Sequence, residues 1–180
     1  MSLFAFSTVP APIWLTSLIL GYVVLQRLGE LWIAQRNTRD LLAAGGREVS
    51  ASHYPLLVIL HATWLAALFF FSYGQPVTLL VLVLFAVVQV ARFWTLAPLG
   101  RRWTTRIIVM PGERLVTTGP FRFVSHPNYL VVIAELLLLP LVFGLPLLAA
   151  IFSALNAAVL TVRISAEERA LATYQDALSP

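Results

Sequence analysis

Long apolar runs and short polar intervals alternate along the 180-residue chain. The first run is Ile13 to Leu28, extended to Ile33 if Glu30 is carried within it. Pro10 and Pro12 stand just before it, at the start of a helix, where proline is tolerated. Tyr54 to Tyr73 and Val77 to Ala97 follow, joined by the uncharged turn Gly74-Gln75-Pro76. A helix needs about 20 apolar residues to cross the hydrocarbon core, and these three runs approach that length. Tyr129 to Phe143 and Leu145 to Val162 are two further runs, broken at Leu139-Pro140 and at Gly144-Leu145-Pro146. The first of these is short for a span, so the pair reads as a helical hairpin turning near the far side of the membrane. The pattern therefore predicts five membrane-spanning helices in an all-α protein. Residues 34–53 read as a polar loop with room for a short interfacial helix, and Thr104 to Met110 as a β-prone stretch or an extended loop. Arg163 to Pro180 reads as an amphipathic C-terminal helix with Leu171, Tyr174 and Leu178 at helical spacing.

Composition fixes the environment. The chain is 59% hydrophobic and 11% charged, with a mean hydropathy of +0.86. Soluble domains carry roughly 25% charged residues, so the polar surface is too small for a water-soluble globule, and one integral-membrane domain over residues 1–180 is expected. All twelve basic residues are arginines. All but Arg27 and Arg92 gather in residues 34–53, residues 98–128 and the tail, while the two opposite turns hold none. Basic residues flanking apolar spans point to membrane topology rather than nucleic-acid binding. The positive-inside rule then puts both polar connectors and the tail in the cytoplasm and the N-terminus outside. The N-terminal residues lack a positive stretch and a cleavage site, so no removable signal peptide is read. There is no cysteine, and His53, His61 and His126 are too scattered to suggest a metal site. No small-xxx-small run argues for tight association, so a monomer or weak oligomer is expected.

One polar island interrupts the apolar half of the chain. Gly112 to Tyr129 reads G-E-R-L-V-T-T-G-P-F-R-F-V-S-H-P-N-Y, and Arg163-Ile-Ser-Ala-Glu167-Glu168 follows the hairpin. If the hairpin forms, Tyr129 at its start and Arg163 at its end share one membrane face. His126, Asn128 and Tyr129 then lie near Arg163, Glu167 and Glu168, in a pocket with a polar mouth and an apolar wall. Glu135 falls inside a span, where an ionisable group is costly and faces a cavity or a partner. It reads either as a substrate-pocket acid or base, or as a structural partner of Arg92 or Arg27. Asn156, on the facing half of the hairpin, is placed to hydrogen-bond Glu135. Arg27 and Glu30, three residues apart, read as a structural pair. Trp14, Trp32 and Trp103 read as interfacial belt residues, Trp103 also at the pocket entrance.

The pattern L-G-R-R-W…L-V-T-T-G-P-F-R-F-V-S-H-P-N-Y-L, followed after the hairpin by R-I-S-A-E-E, resembles the isoprenylcysteine carboxyl methyltransferase family of integral-membrane, S-adenosylmethionine-dependent enzymes. The resemblance covers about Leu99 to Tyr174, and it is closest to short bacterial members thought to methylate alkylpyrones or alkylresorcinols. It implies a bacterial inner-membrane enzyme with a cytoplasmic cofactor-binding connector. Glu113, Arg114, Leu115 and Val116 then sit where the family wraps backbone around the cofactor, and Arg106 on a further cofactor contact. Phe121 takes the place of a tyrosine, and His126, Pro127, Asn128 and Tyr129 match the family's His-Pro-Ser-Tyr. Glu167 falls on the acidic cofactor contact and Arg163 on the arginine facing the methyl acceptor; Glu135 and Asn156 are added as substrate-pocket residues. Ser125 replaces the arginine that normally precedes the His-Pro pair, and Glu113 replaces a histidine.

Methyl transfer needs chiefly alignment of donor and nucleophile and exclusion of water. The donor's methionine moiety calls for an acid such as Glu167 and for N–H donors. A planar guanidinium at Arg163 suits an oxyanion, either holding a carboxylate or lowering the pKa of an enol or phenol. The expected acceptor is a lipophilic small molecule or prenylated substrate reached from the membrane lipids, with S-adenosylhomocysteine as product. An NADPH-dependent sterol-type reductase and a non-catalytic membrane adaptor are the alternatives, and a titration with both cofactors separates them.

Overall fold

The computed structural model describes residues 8–49, 54–110 and 116–176, with side chains as far as Arg169. Five helices carry it: α1 (Ile13–Ala43), α2 (Tyr54–Phe71), α3 (Leu79–Leu99), α4 (Pro127–Val142) and α5 (Pro146–Asp176). α1, α2, α3 and α5 are long and apolar enough to cross a membrane. α4 has 16 residues, a rise of about 24 Å, short of a full hydrocarbon core. Large apolar side chains such as Phe70 (83% exposed) and Leu147 (73%) point away from the bundle, the surface expected of helices solvated by lipid.

Four short strands depart from a purely helical chain. β1 (Thr8–Val9) pairs antiparallel with β3 (Val77–Thr78) near the start of α3. β2 (Arg47–Val49) pairs antiparallel with β4 (Ile107–Val109), matching Glu48 with Ile108. β4 lies in the β-prone Thr104 to Met110 stretch.

Three boundaries differ from the sequence reading. α1 does not stop near Ile33 but runs on to Ala43, because residues 34–43 contain neither glycine nor proline and still turn Ala34, Asn37 and Thr38 inward. It ends where Gly45 takes φ +93, with Gly45 N–H bonded to Leu42 O and Gly46 N–H to Leu41 O. That paired closure requires a left-handed residue, which glycine adopts without strain. α4 continues through Pro140, which falls in its last turn, and ends two residues later at Val142. The chain reverses after it, with Leu145 N–H bonded to Pro140 O. α5 joins the last apolar run and the tail in one helix, there being no breaker between Val162 and Arg163.

The hairpin of α4 and α5 packs beside α3. The apolar core lies toward the hairpin turn, around Leu20, Trp64, Leu68, Leu136, Leu139, Val142 and Phe143. Nearer the middle, four charges meet. Arg27 donates to Glu30 (3.3 Å) and Glu135 (2.6 Å), and Arg92 donates to Glu135 (2.8 Å) and, through two nitrogens, to Glu30. Gln89 donates to the other oxygen of Glu135 at 3.0 Å. Isolated charges are strongly disfavoured there; two arginines and two glutamates cancel, and the cluster ties α1, α3 and α4 together.

Candidate functional site

At the opposite end of the bundle from the hairpin turn, the segment between α3 and α4 folds back over the helix ends. Its path depends on Gly119, which opens the 3-10 turn Gly119–Arg122. Gly119 has φ +61, and a Cβ there would lie 2.8 Å from Pro98 Cγ, so both the backbone angle and the contact disfavour a larger residue. Pro127 then takes the first position of α4, where its missing N–H costs no helical bond. His126 sits just before the helix, and Asn128 and Tyr129 fall in its first turn.

The two arms of the hairpin meet at Tyr129. Arg163 Nε donates to the Tyr129 hydroxyl at 3.0 Å, and the hydroxyl donates in turn to Glu167. A second Arg163 nitrogen donates to the Thr105 carbonyl at 2.8 Å. Arg163 is 8% exposed, and among the described residues no carboxylate pairs with it. The His126 ring stacks on Tyr129 with centroids 5.3 Å apart, and its Nε2 lies 3.8 Å from Glu168. His126, Tyr129, Arg163 and Glu167 line a cleft of about 170 Å³ with Trp103, Thr104, Phe121 and Ser125. β4 gives it an apolar wall; Arg102 and Arg106 stand at its polar side. Arg106 donates from one nitrogen to both carboxylate oxygens of Glu48, at 2.8 and 3.1 Å, and lies over the Tyr54 ring.

A family model described as isoprenylcysteine carboxyl methyltransferase (ICMT) matches residues 79–173. The chain belongs to that family. The match contains α3, the connector, the hairpin and most of the tail helix, hence nearly every side chain of the cleft. The uncharacterized protein YpbQ of Bacillus subtilis is 36% identical over 167 residues, 87% of this chain and 96% of the relative. An uncharacterized protein of Haemophilus influenzae is 27% identical over 153 residues, covering 81% of this chain and 88% of its own. No solved structure matches the chain. Family membership and the apolar helices together make this an integral membrane protein of a methyltransferase family.

Of the residues singled out from sequence, Arg106, Phe121, His126, Pro127, Asn128, Tyr129, Arg163 and Glu167 come together on the cleft. Glu113, Arg114 and Leu115 lie outside the described residues, as do the side chains of Leu171 and Tyr174, and Leu178 altogether. Val116 is described but does not line the cleft. Glu135 stands six residues, about 9 Å, further along α4 than Tyr129, and both its oxygens are taken by Arg27, Arg92 and Gln89. Of its two readings, the structure gives it the structural partnership, with both proposed arginines at once. Asn156 is 1% exposed, yet neither its oxygen nor its nitrogen finds a partner among the described residues, so it does not bond Glu135. The glutamate instead accepts three bonds from side chains of α1 and α3. Thr104, Thr105, Glu48 and Tyr54 were not singled out; the acidic residue in the short R-E-V stretch was the available sign, since it faces Arg106 once β2 and β4 pair.

The cleft holds two acceptors with capacity to spare. Glu167 keeps one carboxylate oxygen beyond its bond to Tyr129. Asn128 Oδ1 is buried without a partner, and a buried acceptor left unsatisfied is costly. A ligand ammonium or amino group satisfies both.

Proposed function

We propose that the protein is an S-adenosylmethionine-dependent O-methyltransferase for a lipophilic acceptor that reacts as an oxyanion, either an isoprenylcysteine-type carboxylate or a polyketide-type phenol or enol. The observation that carries this reading is Arg163, a buried guanidinium with no carboxylate partner among the described residues, facing a cleft beside apolar helices. A buried, unpaired charge is costly, and an anionic acceptor supplies the missing partner. Bound S-adenosylmethionine supplies a methyl group on a positively charged sulfur, which passes to the acceptor oxygen as the sulfur–carbon bond breaks.

The chain's own residues align and shield the reactants. Arg163 holds the acceptor oxygen and favours its anionic form. Tyr129 fixes Arg163 and Glu167 relative to one another, so the acceptor and donor groups keep one register. Glu167 and Asn128 Oδ1 receive the donor's ammonium; Arg106 and His126 stand ready for its carboxylate. Trp103, Phe121 and β4 exclude water. In this reading all five helices span the membrane, α4 with help from a locally thinner bilayer. The cleft then faces the cytoplasm of a bacterial inner membrane, and the acceptor enters sideways between α3 and the α4–α5 hairpin.

Calorimetry with S-adenosylhomocysteine and with NADPH on detergent-purified protein tests the reading. Micromolar binding of S-adenosylhomocysteine, lost in Glu167→Ala, is the expected result, with Arg163→Ala keeping that binding but losing methyl transfer. Binding of NADPH alone would move the protein to the reductases. Folded Arg163→Ala and Glu167→Ala variants with full methylation activity would sink the reading.

A further inference from the structure

We propose that Asn37, which lies outside the matched residues 79–173, is a positioning residue for the donor site; this rests on the donor reading above. Asn37 projects from the extension of α1 beyond its apolar run and is 6% exposed. Its Nδ2 donates to the Gly100 carbonyl at 3.1 Å and to the Trp103 carbonyl at 2.8 Å. Those two carbonyls bracket the 3-10 turn Gly100–Arg102 that leads out of α3. The turn begins at Gly100 with φ +51, outside the helix, and its only internal closure given by the backbone is Trp103 N–H to Gly100 O at 3.2 Å.

What the turn delivers is the cleft wall. Arg102, Trp103, Thr104 and Arg106 all line the cleft, and the Thr105 carbonyl receives Arg163. One short segment is therefore held at its start by Asn37, in its middle by Arg163, and at its end by pairing of β4 with β2. Asn37 itself does not line the cleft, so it acts through the turn. It is well placed to hold a fixed position. α1 is anchored midway by its charges to α3 and α4, and at its C-terminal end by the glycine closure that feeds directly into β2. Both hydrogens of the carboxamide are used, one on each carbonyl. Removing them frees the wall of the donor site from α1 without touching any residue that meets a ligand.

The test compares wild type with Asn37→Leu, which keeps the branched shape but has no donors, and Asn37→Gln, which keeps the carboxamide one methylene further out. Affinity for S-adenosylhomocysteine is measured by calorimetry beside the thermal midpoint of each detergent-purified protein. Losing two neutral hydrogen bonds weakens S-adenosylhomocysteine binding by about tenfold in Asn37→Leu, with the midpoint lowered by several degrees because both bonds exist in the unliganded fold, and Asn37→Gln is weakened as well. Wild-type affinity in a folded Asn37→Leu overturns the proposal. If that variant does not fold, Asn37→Gln decides: weakened binding supports the proposal and unchanged binding overturns it. Failure of both variants to fold makes Asn37 a fold residue and also overturns it. Absence of binding by the wild-type protein overturns the donor reading and this proposal together, whereas binding by wild type and both variants alike overturns this proposal alone.

Discussion

Glu135→Gln isolates what the buried charges do for the bundle. The side chain is 1% exposed and accepts from Arg27, Arg92 and Gln89. Glutamine keeps its shape but leaves two arginines to share the single carboxylate of Glu30, so a buried unit charge goes uncompensated. Removing one partner of a buried ion pair costs about 3–5 kcal/mol, most of it the desolvation of the group left behind. In a chain of this length 1 kcal/mol moves the melting midpoint by about 2–4 °C, so the variant should melt about 6–20 °C lower. Arg27→Gln combined with Glu135→Gln restores neutrality and leaves Arg92 with both of its bonds to Glu30. The double variant is therefore expected to regain at least half of the loss. Thermal melts of the four proteins in one detergent close a double-mutant cycle, and contacting residues should show a coupling well above the noise of independent sites. A Glu135→Gln midpoint within about 2 °C of wild type would refute the reasoning, as would a double variant whose loss equals the sum of the singles. A catalytic Glu135 predicts something else again, unchanged melting with abolished turnover.

Two further outcomes follow from the site and the connector. Tyr129→Phe removes the hydroxyl between Arg163 and Glu167; bonds to charged groups are worth about 1.5–3 kcal/mol each, so the midpoint should fall by several degrees and kcat/KM by about 10- to 100-fold as Arg163 and Glu167 lose their common partner. Single-turnover methyl transfer and a thermal melt read the two effects separately. Gly119→Ala must put a Cβ against Pro98 at a left-handed backbone angle, which at about 1–3 kcal/mol of strain lowers the midpoint by about 2–12 °C. A midpoint equal to wild type would show that the connector approaches α3 less closely than described.

The apolar runs announced the helices because length and hydropathy are local properties. The extension of α1 was hidden for a physical reason: its inward face carries Asn37 and Thr38 rather than leucines, so the hydrophobic signal stops while the helix goes on. Pro140 looked like a breaker because sequence alone does not say whether a proline falls in the middle or the last turn. Motif residues such as His126, Tyr129 and Arg163 were legible as a group, since a hairpin necessarily returns the chain to the same end. Glu48 and Tyr54 were not, because they meet Arg106 only where the pairing of two three-residue strands far apart in sequence brings residues 47–54 beside it. The charges of Arg27, Glu30, Arg92 and Glu135 were each visible, but which carboxylate meets which guanidinium depends on how three helices face one another.

The unbroken course of α5 makes the cleft sensitive to the thickness of its host bilayer. Arg163 and Glu167 sit on the same rigid rod that begins at the hairpin turn, with no glycine, proline or bulge between Leu147 and Arg163 to act as a joint. Arg163 is seventeen residues from that turn, about 26 Å along the rod, so a change in tilt of about 5° sweeps its guanidinium through about 2 Å. Helices adjust their tilt to lipid chain length, and 2 Å is enough to separate Arg163 from Tyr129. Turnover in vesicles should then peak at one acyl-chain length and fall on either side of it, the lipid setting the alignment of the reacting groups much as a spacer sets the gap of a caliper.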